Sequence, residues 1–242
     1  GLLEGRDPKL RNETVLLTAH YDHLGLRGGK VLPGADDNAS GTAALLELAR
    51  AFASHPQQPK RTLLFIAFGA EEAGLLGSYY YTAHPLRPLQ TTRAVINLDM
   101  IGRDEQPSAQ TKGLIDIAED TSNELNLIGL KGSPGLRAAI ERQNQKVGLR
   151  LDYKWEDDHA LNVLWRCDHF PFLLDNVPAV WFFNGFTPDY HQPSDTIEKI
   201  NFVKMEKIAR LAYLVVRELA EEEDSEASPV RGAAKRSHKP TS

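Results

Sequence analysis

The stretch LLTAHYDHLG (residues 16–25) ends an apolar run on His20 and Asp22, and LPGADDNASG (32–41) follows with a double acid, Asp36-Asp37, in a loop of small residues. Residues 14–20, TVLLTAH, have the continuous apolar character of a strand buried on both faces. ASGTAALLELARAF (39–52) then spaces its apolar residues as a helix does. A strand that carries an imidazole and a carboxylate to its end, then a loop, then a helix, is how parallel α/β sheets gather functional groups.

The same alternation continues along the chain. TLLFIAF (62–68) predicts a second strand and GLLGSYYYTAH (74–84) a short helix, AVINLDM (94–100) a third strand and LNLIGL (125–130) another. SPGLRAAIERQNQ (133–145) opens a helix with Ser133 as N-cap and Pro134 in the first turn. VPAVWFF (177–183) is a late buried strand, and Ile208, Leu211, Ala212, Val215 and Leu219 form the apolar stripe of a C-terminal helix. Buried strands separated by helices predict an α/β fold, a mainly parallel sheet covered on both faces. Residues 1–220 are expected to form one domain. From Glu221 onward, EEEDSEASPVRGAAKRSHKPTS (221–242) has no apolar periodicity and is expected to be a disordered tail.

With 242 residues, 41% of them hydrophobic, the chain can bury a full core. The formal charge of −5 offers no electrostatic case for nucleic acid or an anionic membrane as partner. No apolar stretch reaches membrane-spanning length. Cys167 is the single cysteine, which excludes an intrachain disulfide and makes thiolate ligation of a metal negligible. The chain opens on GLLEGRDPKL (1–10), as if cut from a longer precursor; a secreted, periplasmic or cell-envelope location after removal of an N-terminal segment is the expectation, and it is not read from these residues.

Each strand ends in a candidate ligand: His20 after TVLLTAH, Glu71 and Glu72 in FGAEE (68–72), Asp99 in NLD (97–99), with Asp37 in the first loop and His191 in DYHQPSDT (189–196). Taken singly, each has an ordinary explanation, since a strand-end Asp commonly caps a helix and paired Glu commonly sit in a first helical turn. Two imidazoles and four carboxylates at convergent positions match instead the donors that zinc accepts. Asp22, two residues from His20, points to the same side of an extended chain and is placed to grip the imidazole's other nitrogen. Adjacent Glu71 and Glu72 should diverge.

HYDHLG (20–25), GADDNASG (34–41), GAEEAG (69–74), NLDMIG (97–102) and YHQPSDT (190–196) resemble, in order, the motifs of the co-catalytic di-zinc aminopeptidases, a resemblance that runs from about residue 13 to 215. It implies a zinc-peptidase-like three-layer α/β/α fold with a central mixed, mostly parallel sheet, and two Zn²⁺. His20 and Asp99 resemble the ligands of one zinc, Glu72 and His191 those of the other, and Asp37 the bridge between them, since counting back from ASG selects the second acid. The resemblance also implies a cis peptide bond between Asp37 and Asn38, Glu71 as general base, and Tyr190 as a phenol that polarises the carbonyl oxygen. The activity implied is removal of the N-terminal residue from peptides with a free N-terminus; no obligate protein partner is implied. Carboxypeptidase or dipeptidase specificity stays open. CDHFPFLLDNVPAV (167–180) also resembles the glutaminyl-peptide cyclotransferases, which use one zinc. A non-catalytic, receptor-like homologue should have lost ligands or the base, and none is lost.

In RCDHFPF (166–172), Arg166 and Asp168 are candidate substrate contacts, Asp168 with the alternative of bracing the ligands from behind. His23 could be a ligand, but packing or facing solvent is the expectation. His55, His84 and His238 are expected at the surface, and Asp157, Asp158 and His159 in a polar loop. Cys167 suits packing better than nucleophilic chemistry. Trp155, Trp165 and Phe186 are candidates for a side-chain pocket, with aromatic core as the default.

Overall fold

The structure, a computed structural model, describes residues 1–222. In chain order its strands are β1 (Leu2–Leu3), β2 (Thr14–His20), β3 (Gly25–Arg27), β4 (Lys30–Leu32), β5 (Thr62–Phe68), β6 (Thr92–Leu98), β7 (Glu124–Ile128), β8 (Arg150–Asp152) and β9 (Ala179–Phe183). The α-helices are α1 (Gly41–Ser54), α2 (Leu76–Ala83), α3 (Pro134–Asn144), α4 (Phe170–Leu174) and α5 (Phe202–Glu221). Seven strands form one sheet in the order β1-β5-β2-β6-β9-β7-β8, while β3 and β4 make a separate hairpin. The pairs β5–β2, β2–β6 and β6–β9 are parallel, whereas β1 pairs antiparallel with β5 and β7 with β9. The sheet is therefore mixed and mostly parallel.

Both faces are covered. Leu17, Ile96 and Phe182 on one face pack with Leu48 of α1, Ile140 of α3 and the α5 stripe of Ile208, Leu211, Ala212, Val215 and Leu219. Leu16, Val95 and Ala179 on the other meet Phe172 of α4, with Tyr81 of α2 alongside. Each large side chain so buried contributes about 1.5–3 kcal/mol. Asn201 caps α5 by accepting from the Lys204 amide at 3.1 Å, and buried Lys204 Nζ donates to the carbonyls of Arg103 and Thr121. The helix is thereby tied to the loop that leaves β6.

Some boundaries differ from the sequence-based expectation. Strand β6 ends at Leu98, with the Asp99 amide still donating to the Phe182 carbonyl of β9 at 3.3 Å, and α1 starts at Gly41, after residues 35–40 form a wide turn containing a cis Asp37–Asn38 peptide bond. Ser133 occupies the N-cap position of α3 but its side chain makes no capping bond. Helix α5 includes Glu221, one residue of the expected tail; that expectation otherwise falls, from residue 223, outside the described residues.

Parallel register puts the functional strand ends side by side. His20 is level with Phe68, and Thr18 with Asn97, so His20 and Asp99 fall opposite one another at the C-terminal ends of two central strands. The loop between β4 and α1 is stapled to that end of the sheet by Asn38, whose Nδ2 donates to the Leu98 carbonyl at 3.0 Å and whose Oδ1 accepts from the amides of Gly41 and Met100. A Cβ at Gly41 would lie 2.2 Å from the Leu98 carbonyl oxygen. Gly41→Ala gains about 1 kcal/mol of helix propensity but forces backbone apart, an overpacking cost of about 1–3 kcal/mol or more. Net destabilisation is expected, with the Asp37 loop displaced. A lowered midpoint in urea together with weaker zinc retention checks this.

Candidate metal centre and active site

His20, at the end of β2, is 1% exposed, and its Nε2 lies 3.2 Å from Asp99 Oδ1 and 3.4 Å from Asp37 Oδ1. The other oxygen of Asp37 faces away, with Oδ2 3.0 Å from His191 Nε2. His191 Nε2 is in turn 3.3 Å from Glu72 Oε2. One carboxylate thus looks both ways, towards a His20–Asp99 side and a Glu72–His191 side. Glu71 and Glu72 diverge as expected: Glu71 groups with His20 and Asp99, Glu72 with Asp37 and His23. Asp36 turns elsewhere, its Oδ1 accepting from the Gly102 amide at 2.7 Å.

Partners from distant parts of the chain hold these groups. The Asp195 carboxylate accepts from the amides of Asp36 and Asp37 and so sets the direction of the loop. Cys167 Sγ donates to Asp99 Oδ2 at 2.9 Å, and Trp181 Nε1 donates to the Asp99 carbonyl at 3.0 Å. Asp189, which Arg103 and Lys199 grip at 2.9 and 2.6 Å, anchors the turn bearing His191, itself in a left-handed conformation at φ 56°. Burial would raise the Asp189 pKa, but Lys199, Ser194 and Arg103 hold it down at about 2. Asp189 and Asp195 flank His191 in DYHQPSDT and Cys167 opens CDHFPF, but the sequence does not reveal their bracing roles, since most of these pairings join segments far apart in the chain.

Electrostatics follow from carboxylate crowding. Burial pulls the His20 pKa down, yet Asp99, Asp22 and Asp37 outweigh it and raise it far above the usual imidazole range. Burial opposes charge on His191 too, but Asp37 and Glu72 lift its pKa to about 9. Asp37 is driven well below the usual carboxylate range, since His191 and His20 overcome the effect of burial. Glu71 moves the other way, to about 10, through burial and then the negative charge of Asp99. A metal ligated by neutral imidazole takes the place of such protons.

Several expectations need correction. The Asp22 carboxylate faces His20 Nδ1 as expected, but from 3.7 Å, beyond hydrogen-bond distance; Nδ1 hydrogen-bonds the Asp22 backbone carbonyl at 3.1 Å. The carboxylate accepts from the amides of Glu71 and Glu72, at 3.1 and 3.3 Å. Asp168 is fully buried with neither oxygen hydrogen-bonded, so it does not contact substrate; burial raises its pKa to about 7. His23 neither faces solvent nor packs apolar, because its Nδ1 is 2.9 Å from Glu72 Oε1. Cys167 is a hydrogen-bond donor to a candidate ligand as well as a packing residue. Trp155 is core, and Trp165 is exposed against Phe170. His84, Asp157 and His159 are exposed as expected, and His238 lies outside the described residues.

Asp37, Glu71, Asp99 and His191 open onto a cleft walled by Met100, Trp181, Phe186 and Tyr190, with Arg166 at its rim. Tyr190 stacks on His191 with ring centroids 3.8 Å apart and meets Phe186 edge-on at 5.0 Å. The residues fit zinc. His191 Nε2, Glu72 Oε1 and both ring nitrogens of His23 are buried and none is aligned for a hydrogen bond, although three of them lie 2.9–3.0 Å from one another or from Asp37, as ligand atoms around a cation would. Mixed imidazole and carboxylate donors are those zinc takes. No helix among the described residues is long and apolar enough to cross a membrane.

Comparison with known proteins agrees. The aminopeptidase YwaD of Bacillus subtilis is 31% identical over 218 residues, covering 87% of this chain and 42% of that protein. The crystal structure of BSAP, a zinc aminopeptidase from Bacillus subtilis, superposes with a TM-score of 0.69 at 27% identity, over 96% of this chain and 51% of that one. A glutaminyl cyclase from an Acidobacteriales bacterium shares the fold, with a TM-score of 0.65 at 20% identity over 90% of this chain and 72% of that one. The chain spans about half the length of the aminopeptidases it matches. The sequence profile of peptidase family M28 matches residues 1–216, and the chain belongs to that family.

Proposed function

We propose that this chain is a zinc-dependent aminopeptidase that holds two zinc ions and hydrolyses the peptide bond after a free N-terminal residue. The observation that carries the reading is the divided carboxylate of Asp37, with Oδ1 at 3.4 Å from His20 Nε2 and Oδ2 at 3.0 Å from His191 Nε2. Two cations at the separation of about 3.5–4 Å usual in such centres need a shared anion between them. In the proposed roles His20 and Asp99 hold one ion, Glu72 and His191 the other, and Asp37 both. Bound zinc would supply polarisation of the scissile carbonyl and a water acidic enough to deprotonate near neutral pH.

The chain's own groups do the rest. Glu71 lines the cleft and serves as the base that takes a proton from the attacking water and hands it to the leaving amine. Asp22 fixes the backbone of Glu71 and Glu72 through their amides. Burial, followed by the charges of Asp37 and Glu72, pushes the Tyr190 phenol far above its ordinary pKa, which keeps it a proton donor to the carbonyl oxygen. The crowd of carboxylates attracts a protonated α-amine, and Phe186 under Tyr190 gives the cleft an apolar wall.

Two outcomes test this reading. Glu71→Gln should keep its zinc and fold while kcat/KM falls about 10²–10⁴-fold; activity near that of the wild type would remove Glu71 from the mechanism. Leucyl-anilide and peptides with free N-termini should be cleaved, and acetylation of the amine should cost about 2–5 kcal/mol of transition-state binding. Mass spectrometry of a peptide with N-terminal Gln separates loss of a residue, the aminopeptidase outcome, from loss of ammonia, the cyclase outcome. Equal cleavage of free and acetylated substrates would contradict the proposal.

A further inference from the structure

His23 has no role among the five aligned ligands, yet it sits inside the centre. Its side chain is 10% exposed, its Nδ1 is 2.9 Å from Glu72 Oε1 and 4.0 Å from Asp37 Oδ2, and neither ring nitrogen is aligned for a hydrogen bond. The rings of His23 and His191 meet edge to face with centroids 5.6 Å apart, so two imidazoles approach the same carboxylates from different directions. Zinc ligands about 2.0–2.1 Å from the ion stand about 3.3 Å from each other in a tetrahedron. The separations of 2.9, 3.0, 3.3 and 4.0 Å among His23 Nδ1, His191 Nε2 and the oxygens of Asp37 and Glu72 bracket that value.

The placement is built into the loop. Gly34, at φ 64°, lies against the ring, and a Cβ there would be 2.7 Å from His23 Cγ and 2.4 Å from the Asp37 carbonyl oxygen. The residue that turns the chain into the Asp36-Asp37 segment therefore also leaves space for the imidazole.

We infer that His23 is an additional metal ligand, giving the ion on the Glu72–His191 side a second imidazole through Nδ1. The inference rests on the two-zinc reading above. It makes the centre asymmetric: Asp37, Glu72, His191 and His23 give one side four protein ligands, while Asp37, His20 and Asp99 give the other three. The four-ligand ion is the more tightly held, and the three-ligand ion keeps an open position for water or substrate.

Zinc K-edge absorption spectroscopy of the wild-type protein loaded with two zinc ions counts the imidazoles directly. Three shared by two ions are expected, and two would overturn the inference. Competition against a chromophoric zinc chelator supplies the second readout. His23→Ala should weaken one of the two sites about 10–100-fold and leave the other nearly unchanged, and His23→Asn, whose amide oxygen reaches towards the position of Nδ1, should recover part of the loss. Weaker binding with an unchanged imidazole count would mean that His23 only positions Glu72, which also overturns the inference. A wild-type protein that binds no zinc would instead defeat the functional proposal itself, and the two failures are therefore distinct. Should His23→Ala fail to fold, the wild-type imidazole count decides alone.

Discussion

Negative charge gathered at the C-terminal ends of the central strands is the constraint on which the rest depends. Asp37, Glu71, Glu72 and Asp99 converge within a few ångströms, with Asp22 and fully buried Asp168 behind them. Among the described residues, the ion pairs made by Asp37, Glu72 and Asp99 run to the imidazoles of His20, His23 and His191. Ionised carboxylates cannot be buried together without cations at any reasonable cost. Either protons or metal ions must offset them, and the raised pKa values of Glu71 and His191 record the proton solution. Metal ions are the solution compatible with the proposed hydrolysis near neutral pH.

The fold exists to hold that charge in place. Parallel β2, β5 and β6 end level with one another, which lets three strands deliver groups to a single point. Asn38 staples the bridging loop to the end of β6, and Asp195 pins the same loop through the amides of Asp36 and Asp37. Arg103 and Lys199 do the equivalent for the turn of His191 by way of Asp189. Rigid backbone and fixed hydrogen bonds, rather than the ligands' mutual attraction, keep like charges together.

Much of this was legible in the sequence, and the gaps have physical causes. β2 and β5 were read to the residue, because a strand buried on both faces leaves an unbroken apolar run. The antiparallel direction of β7 was not visible in its own residues, since an apolar run carries no sign of direction, and β1, β3, β4 and β8 are too short to show periodicity. Ligands at motif positions could be aligned one by one, so their order along the chain was enough to bring them together. Asp22 and His23 were misjudged for one shared reason. β2 stops at His20, so the alternation of an extended strand no longer governs the next three residues. The chain turns there, which takes the Asp22 carboxylate to the Glu71 and Glu72 amides and His23 to Glu72. The bracing roles of Cys167 and Asp195 were not legible because hydrogen bonds across 68 and 159 residues leave no local pattern.

The central claim is that one carboxylate is common to two metal ions, and metal content per folded chain tests it most directly. Wild-type protein, His20→Ala and Asp37→Ala would be loaded with excess zinc, freed of unbound metal and measured by elemental mass spectrometry, with circular dichroism confirming that each is folded. The account predicts two zinc ions in the wild type, retention of the Glu72–His191 ion in His20→Ala, and weakened binding of both ions in folded Asp37→Ala, which should end with less zinc than His20→Ala. An Asp37→Ala protein that still holds two zinc ions, or one that loses no more metal than His20→Ala does, would contradict it.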